Sequence, residues 1–361
     1  MDYTRRLGLK RWKWWFLVAL NITFLLVGQA VATLLGKFYY EQGGNSKWMA
    51  TLVQSAAFPV LFIPLFVFSS SPFQSSTNTN TINKPSIVTL SLVCTFLGLI
   101  IAGDNMMYSV GLLYLPVSTY SLLCGTQLAF NALFSFFINS QKFTALIFNS
   151  VAILTLSATL IAVNTDSTEQ SGVSNGKYVI GFICTLGASA TYSLILSLMQ
   201  FSFQRVLKTE TFSVVLDMQI YTSLVAACAS TVGLFASGEW STLKGEMDGF
   251  RNGRVSYVMT LFWTAIAWQI CSVGVVGLIF VVCSLFSNVI STMSLPLVPI
   301  AAVIIFHEKM NGVMIVAMLM ALWGFSSYLY QHYLDDLKQK ETTTNEFEAL
   351  VSSTSCETLV A

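Results

Sequence analysis

Residues 87–115 read IVTLSLVCTFLGLIIAGDNMMYSVGLLYL, an apolar run with an acidic residue near its centre. At a rise of about 1.5 Å per residue, a helix of this length crosses the hydrocarbon core of a bilayer, which is about 30 Å thick. Asp104 and Asn105 lie well inside the run, where a carboxylate costs at least about 2.5 kcal/mol. A chain keeps such a residue where it is used or paired, so the run predicts a membrane helix with a functional group at mid-depth.

Runs of this kind follow one another along the chain. Of its 361 residues, 55% are hydrophobic and 10% are charged, against about 25% charged residues in a soluble domain. The pattern predicts an all-α, polytopic membrane protein with ten transmembrane helices. The predicted spans are Trp15–Tyr39, Trp48–Phe68, Ile87–Leu113, Val117–Ile138, Thr144–Val163, Tyr178–Phe203, Phe212–Ala236, Tyr257–Leu278, Phe280–Phe306 and Gly312–Tyr333.

Both chain ends are predicted to lie in the cytoplasm. Residues 1–14 are rich in Lys and Arg, and the loops on their side of the membrane hold more basic residues than the opposite loops, as cytoplasmic segments do. No small-residue cleavage site follows the first span, so we expect that span to remain as a membrane helix. Residues 69–86 are expected to form a mobile loop and residues 334–361 a disordered tail. The plasma membrane is the expected location.

The chain carries two similar halves. The sequence Ser109-Val110-Gly111-Leu112 is echoed by Ser272-Val273-Gly274-Val275, and residues 136–144, before the fifth span, resemble residues 304–311, before the tenth. A unit of five helices crosses the membrane an odd number of times, so two consecutive copies must be inverted. The predicted repeats are residues 15–163 and 178–333, with a linker at 164–177. Inverted repeats are typical of transporters whose substrate site lies near the membrane midplane.

Polar side chains inside the predicted spans recur at helical spacing, so each helix can turn one polar face toward a shared cavity. In the third span, Asp104 and Tyr108 are four residues apart. Small polar residues often serve only to hold membrane helices together, and for the stacked carboxamides Gln127 and Asn131 both interpretations remain open. The candidate substrate-binding residues are Gln29, Asn105, Tyr108, Gln127, Asn131, Tyr192, Trp268, Gln269 and Asn288.

Asp104 is the candidate proton carrier. A carboxyl group in an apolar environment favours its neutral form, which lets it take up and release a proton near neutral pH. We expect no Lys or Arg inside the predicted spans to neutralise its charge. The alternative to a proton carrier is a structural Asp that forms hydrogen bonds to backbone or to a partner side chain. Asp217, one turn into the seventh span, is either interfacial or functional. Glu308 and Lys309 are expected to be a structural pair at a helix end.

The expected lack of buried cations limits the substrate. A carrier of phosphate esters or nucleotide sugars needs Lys or Arg in its cavity, whereas carboxamides, hydroxyls and aromatic rings suit a flat, neutral solute with a hydrogen-bonding edge. No metal, cofactor or enzyme chemistry is expected, because the cysteines and the two histidines lack the spacing of metal ligands or catalytic clusters. The net charge of +1 offers no field for nucleic acid.

Three stretches carry a family resemblance: EQGGNSKWMATLVQS at 41–55, GDNMMYSVGLLYLPVSTYS at 103–121 and GLFASGEW at 233–240. They resemble the plant purine permease family, within the drug/metabolite transporter superfamily. The resemblance implies ten helices in two inverted five-helix repeats. It also implies proton-coupled uptake of purine-related solutes such as adenine and cytokinins and, in some members, alkaloids or forms of vitamin B6.

The resulting hypothesis is an importer that works by alternating access and carries a purine base or a cytokinin together with a proton. Its interaction partners would be that small molecule, the proton and membrane lipid, and the oligomeric state is left open. One alternative is a membrane receptor or sensor that binds the same ligands without moving them. Another is a transporter of a different neutral heterocycle, such as an alkaloid or vitamin B6.

Overall fold

The structure is a computed structural model that describes residues 2–63, 87–139, 144–163, 174–202, 212–281, 287–288, 290–292, 297–307, 311–324, 326–327, 330–331 and 334. These residues form helices and short turns, with no strand among them, so the predicted all-α class is confirmed. The helices are α1 (Asp2–Glu41), α2 (Lys47–Ala56), α3 (Ile87–Tyr114), α4 (Val117–Cys124), α5 (Gln127–Asn139), α6 (Ala145–Val163), α7 (Asn175–Phe201), α8 (Phe212–Ala236), α9 (Leu243–Gly249), α10 (Gly253–Val281), α11 (Leu297–Phe306) and α12 (Gly312–Gly324). Turns of 3₁₀ helix lie at Phe58–Leu61 and Glu239–Ser241.

Six segments within the described ranges are long and apolar enough to cross a membrane. They are Trp15–Glu41, Leu90–Tyr114, Val117–Ile138, Asn175–Phe201, Leu216–Ala236 and Gly253–Leu278. The chain is therefore a multi-pass membrane protein, as predicted. The predicted seventh span coincides with α8. The expected mobile loop 69–86 lies outside the described residues, as does the expected tail from residue 335 onward.

Two predicted spans differ from the observed helices. The second was expected to continue to Phe68, but α2 ends at Ala56 because Pro59 in the next turn lacks an N–H and disfavours helix in the residue before it. The fourth was expected to be one helix, but it is broken between α4 and α5. At the break, Thr126 N donates to Leu123 O at 3.0 Å and Leu128 N donates to Gly125 O at 3.3 Å, so the chain tightens to three-residue turns at a glycine, the weakest helix former after proline.

The bundle is organised around two pairs of long helices. Helix α1 packs along α10, and α3 packs along α7 and also contacts α8. Glycines permit the closest of these approaches. A Cβ atom at Gly28 of α1 would lie 2.7 Å from Cys271 N of α10, and one at Gly274 of α10 would lie 2.6 Å from Leu25 N of α1. The two backbones are therefore in direct contact over one helical turn at this crossing.

We expect Gly28→Ala to lower the stability of the folded protein, because the added methyl group has no space between α1 and α10. Overpacking of this kind typically costs about 1–3 kcal/mol. Gly103→Ala is the matched control, since a Cβ at Gly103 of α3 meets nothing within 4 Å and gains the same helix propensity. Thermal unfolding in detergent, followed by size-exclusion chromatography, measures the difference. Equal stability of the two variants would contradict the close approach of α1 and α10.

Candidate functional site

A cavity of about 160 Å³ lies between the helices at the centre of the bundle. Helices α1, α2, α3, α4, α5, α7, α8 and α10 contribute to its wall, together with Ser291. Its polar lining residues are Gln29, Thr33, Gln54, Ser55, Asp104, Asn105, Gln127, Gln219, Ser223, Ser272 and Ser291. Its aromatic lining residues are Tyr108, Tyr120, Tyr192 and Trp268.

The cavity brings together seven of the ten residues that the sequence put forward. These are Asp104, Gln29, Asn105, Tyr108, Gln127, Tyr192 and Trp268. Asn131, Gln269 and Asn288 are also buried, at 4%, 2% and 1% exposure, but they do not line this cavity. Gln269 follows Trp268 by one residue, which turns it about 100° around the helix to another face. A role for these three residues in binding stays a prediction.

Asp104 supplies the acidic group of the cavity. It lies in the apolar middle of α3 with only 3% of its surface exposed, and its Oδ1 has no hydrogen-bond partner within the described segments. No described residue that lines the cavity is Lys or Arg. A buried carboxyl oxygen without a partner is costly for the fold, so the Asp104 carboxyl is available to a hydrogen-bond donor that enters the cavity.

Gln127 lies at the break between α4 and α5. It is the first residue of α5 and is 3% exposed, and its Nε2 likewise lacks a partner among the described residues. Its backbone O accepts a hydrogen bond from Ser193 Oγ at 2.6 Å, which fixes the break against α7. Cys124, on the other side of the break, also lines the cavity. Broken helices at membrane depth are found where they line a cavity or a binding site.

Helix α2 holds the amide of Asn105 in place. Asn105 Nδ2 donates to Ser55 Oγ at 3.1 Å. Gln54 Nε2 donates to Ser109 Oγ at 3.0 Å and to Asn105 O at 3.3 Å. These bonds join α2 to α3 beside Asp104, so the polar edge of the cavity is ordered before any solute binds.

Two helices contribute polar residues to the wall that were not predicted from the sequence. Gln54 and Ser55 come from α2, and Gln219 and Ser223 come from α8, where Gln219 Nε2 donates to Ser223 Oγ at 3.3 Å. The signal was present, because Gln219 and Ser223 have the same four-residue spacing as Asp104 and Tyr108 in the third span. The cavity therefore has contributions from the second and seventh predicted spans, in which no candidate substrate-binding residue was named.

Aromatic rings flank the polar edge. Tyr108 of α3 and Tyr120 of α4 make an edge-to-face pair with ring centroids 6.0 Å apart and an interplanar angle of 73°. Tyr192 of α7 and Trp268 of α10 lie in the other walls. Rings on several walls provide faces against which a flat solute can stack.

Much of the remaining cavity wall is apolar. Its aliphatic and thioether lining residues are Ile101, Ile195, Leu196, Met199, Val275 and Val276. Several of them belong to a buried apolar cluster that also contains Leu97 and Met218. In α3, Ile101 lies one turn before Asp104 and Asn105. The cavity is thus amphipathic, because it offers amides and a carboxyl together with aliphatic and thioether groups.

One buried cation corrects the sequence analysis. Lys37 lies inside α1 with 9% of its surface exposed, although no Lys or Arg was expected to be buried in a span. Its Nζ donates to Leu112 O at 3.3 Å and to Leu115 O at 2.8 Å. Leu112 O would normally bond to the N–H four residues on, and Pro116 has none. Lys37 therefore caps the end of α3 and does not line the cavity.

The sequence matches one family and several curated proteins. The profile of the family described as purine nucleobase transmembrane transport matches residues 16–338. Among similar proteins of Arabidopsis thaliana, Probable purine permease 11 is 64% identical over 94% of this chain and 88% of its own length. Purine permease 21 is 52% identical over 92% of this chain and 84% of its own length.

A solved crystal structure also aligns, at 14% identity and a TM-score of 0.46, over 87% of this chain and 98% of the other. That likeness is too distant to bear on fold or function. The family profile extends from the first membrane helix to just past the end of the last predicted span, and Probable purine permease 11 aligns over 338 residues of the chain. The chain therefore belongs to the family of purine nucleobase transmembrane transport proteins, whose members are transporters and not enzymes.

Proposed function

We propose that this transporter imports purine bases by alternating access, together with a proton that Asp104 carries. The observation that carries the proposal is the setting of Asp104. Among the described residues, its buried carboxyl has an unpartnered Oδ1, and the cavity wall around it holds no Lys or Arg. Such a group can bind a proton when solute enters and release it when the cavity faces the other side. Both termini are assigned to the cytoplasm and the protein to the plasma membrane.

The size and chemistry of the cavity support a purine as the solute. One water position needs about 10–15 Å³ of cavity volume, so about 160 Å³ has room for a solute of roughly ten non-hydrogen atoms, which is the size of a purine base. The amides of Gln127 and Asn105 and the carboxyl of Asp104 can pair with the donors and acceptors along a purine edge. The rings of Tyr108 and Trp268 can stack on its faces.

The apolar lining of the cavity supports purines that carry an apolar substituent, as cytokinins do. With the ring held near Asp104, a substituent would extend toward Ile101 and Met199, which are part of a continuous apolar surface. Each methylene group buried there contributes about 0.8 kcal/mol. A substituted purine would on this account bind more tightly than the bare base.

The pairing of the helices supports two inverted repeats. In the proposed repeats, α1 is equivalent to α7, α2 to α8 and α3 to α10. The contact of α1 with α10 therefore corresponds to the contact of α7 with α3, and both pairs are in close contact. The contact of α2 with α10 corresponds in the same way to that of α8 with α3, and both of these pairs are also in contact. A bundle with this symmetry can rock between two equivalent states around a central site.

The echoed glycines support the same symmetry. A Cβ at Gly111 of α3 would collide with Thr185 of α7, and a Cβ at Gly274 of α10 would collide with Asn21 and Leu25 of α1. The two glycines therefore occupy the equivalent helix crossing in each half. The four-residue match in the sequence corresponds to a shared packing role.

We expect uptake of labelled adenine to fall as the external pH rises and to collapse when a protonophore is added. Fewer protons are available to Asp104 at higher external pH, and a protonophore removes the gradient that drives solute inward. Uptake into cells that express the protein, measured over a series of pH values, checks this. Uptake that survives the protonophore and requires sodium would overturn the proton coupling.

A competition experiment separates the candidate solutes. Uptake of labelled adenine is measured in the presence of unlabelled adenine, a cytokinin, a purine alkaloid or pyridoxine. We expect adenine and the cytokinin to compete most strongly, since both carry the purine edge and the substituent of the cytokinin also contacts the apolar lining. Stronger competition by pyridoxine would favour the alternative of a different neutral heterocycle.

A further inference from the structure

A layer of aromatic side chains closes the central cavity toward the end of α1. Tyr39, Tyr40, Phe250 and Tyr257 form this layer, and their exposed fractions are 1%, 9%, 3% and 4%. A smaller cavity of about 30 Å³ shares lining residues with the central one, Trp268 among them, and also reaches Tyr39 and Tyr40. The path that leads from the central cavity in this direction ends at the aromatic layer.

Two carboxylates hold the layer closed. Glu246 of α9 accepts hydrogen bonds on Oε1 from the hydroxyl groups of Tyr39 and Tyr257, the second at 3.2 Å, and on Oε2 from Ser46 N at 3.1 Å. Glu239 Oε2 accepts from Ser46 Oγ at 2.7 Å and from Trp48 N at 3.1 Å. The end of α1, the start of α2 and the start of α10 are therefore tied to one segment, residues 237–252.

Polar bonds and one buried side chain together hold this segment. No residue of α9 is buried, whereas Phe250, which follows α9 within the segment, packs in the aromatic layer. Hydrogen bonds to a carboxylate are about twice as strong as neutral ones, and the N-terminus of α2 favours negative charge. The carboxylate bonds therefore give the contact its specificity, and opening the segment also withdraws Phe250 from the layer.

Glycines with positive φ lie at the ends of the two segments that meet here. Gly43 has φ +112° in the turn before α2, Gly238 has φ +76° at the start of residues 237–252, and Gly253 has φ +83° just after them. These are all the glycines with positive φ in the described part of the chain. Only glycine adopts these angles readily, and hinges are positions that absorb a change of φ and ψ.

We propose that residues 237–252 and the turn at 42–46 form a gate, closed in this structure, on the membrane face opposite the N-terminus, and that Glu239 and Glu246 are its latch. The side of the membrane follows from α1, which crosses once between the N-terminus and the aromatic layer. The gate rests on the proposed alternating access, because a cavity that loads from this face must open there. Opening breaks the bonds of the two carboxylates and moves the aromatic layer aside.

Labelling of a cysteine in the cavity tests the gate. Cys124 lines the central cavity, and replacing Cys94, Cys184, Cys228, Cys271, Cys283 and Cys356 by Ala leaves it as the only thiol. A small, membrane-impermeant maleimide is added to sealed vesicles of known orientation, so that each face is tested separately. The substitution Glu246→Gln is then made in this single-cysteine variant. It replaces one acceptor oxygen of the carboxylate by an NH₂ group, which cannot accept the hydrogen bonds that Glu246 now receives.

We expect Glu246→Gln to raise the labelling rate from the gate face about tenfold, the change produced by losing about 1.4 kcal/mol of closing free energy. The rate from the opposite face should not rise. Asp248→Asn is the matched control, because Asp248 is in the same helix but pairs with the exposed Arg254 and takes no part in the latch. Its labelling should equal that of the parent chain.

Tyr39→Phe provides a second variant should Glu246→Gln fold poorly, since it keeps the ring and removes one latch hydroxyl. An unchanged rate in both variants, an equal rise in Asp248→Asn, or an equal rise from both faces would overturn the gate. Labelling needs no substrate, so this result is independent of whether purine uptake is observed. If the labelling rates change as expected but no purine uptake is observed, the proposed substrate is refuted and the latch is not.

Discussion

Asp104→Asn should leave a protein that binds and exchanges purine but no longer concentrates it. Asparagine keeps the volume and a hydrogen-bonding head but cannot take up or release a proton. With one proton carried per solute, a pH difference of about one unit supports roughly a tenfold concentration ratio, because one unit is worth about 1.4 kcal/mol. In Asp104→Asn the ratio should fall to about one. Accumulation of labelled adenine in proteoliposomes with an imposed pH difference measures it.

The same preparation separates coupling from a structural role. Binding and counterflow exchange of adenine are measured beside gradient-driven uptake, and the yield of folded protein is recorded. A structural Asp would lose folded protein and binding together, or would tolerate the change with full uptake. Retained concentrative uptake at normal expression would refute the assignment of Asp104 as proton carrier.

Gln127→Ala should weaken the binding of adenine strongly. Gln127 Nε2 has no partner in the described part of the chain, so a bound purine can take the bond that the protein leaves unmade. Losing a buried donor to a ligand costs about 1–3 kcal/mol, which corresponds to roughly 5- to 150-fold in the dissociation constant. Equilibrium binding of labelled adenine to purified protein provides the measurement.

Ser121→Ala is the control for Gln127→Ala. Ser121 is fully buried in α4, and it is not among the residues that line the cavity. Its Oγ makes no hydrogen bond to any described residue, so its removal breaks no hydrogen bond within the described part of the chain. We expect nearly unchanged binding. Small and equal effects of the two substitutions would assign Gln127 to helix packing.

The membrane helices were largely predictable because their signal is local. The runs that became α3 and α8 begin at the residues expected from hydropathy alone. The break between α4 and α5 was not predictable in this way, because Gly125 and Thr126 sit in an apolar run whose composition is that of a continuous helix. The contact with α7, where Ser193 Oγ bonds to Gln127 O, holds this turn in place, and that contact is not local in sequence.

Site residues were predictable where a polar residue stands out in an apolar run. They were less predictable where the role of a residue depends on which face of its helix it occupies. Asp104 and Gln127 stand out in apolar surroundings, and both line the cavity. Trp268 and Gln269 were equally strong candidates, yet only Trp268 faces the cavity, because one residue along a helix changes its direction by about 100°. Lys37 was misjudged because its partners, Leu112 O and Leu115 O, are backbone atoms that a sequence pattern does not reveal.

The most direct test of the account is gradient-driven uptake of adenine by the purified protein in liposomes. With the pH lower on the side from which solute enters, we predict accumulation above the equilibrium concentration, and release of the accumulated adenine when a protonophore is added. A receptor or sensor would bind adenine in the same preparation without accumulating it. Saturable binding with an internal concentration that never exceeds the external one would contradict proton-coupled transport through this cavity.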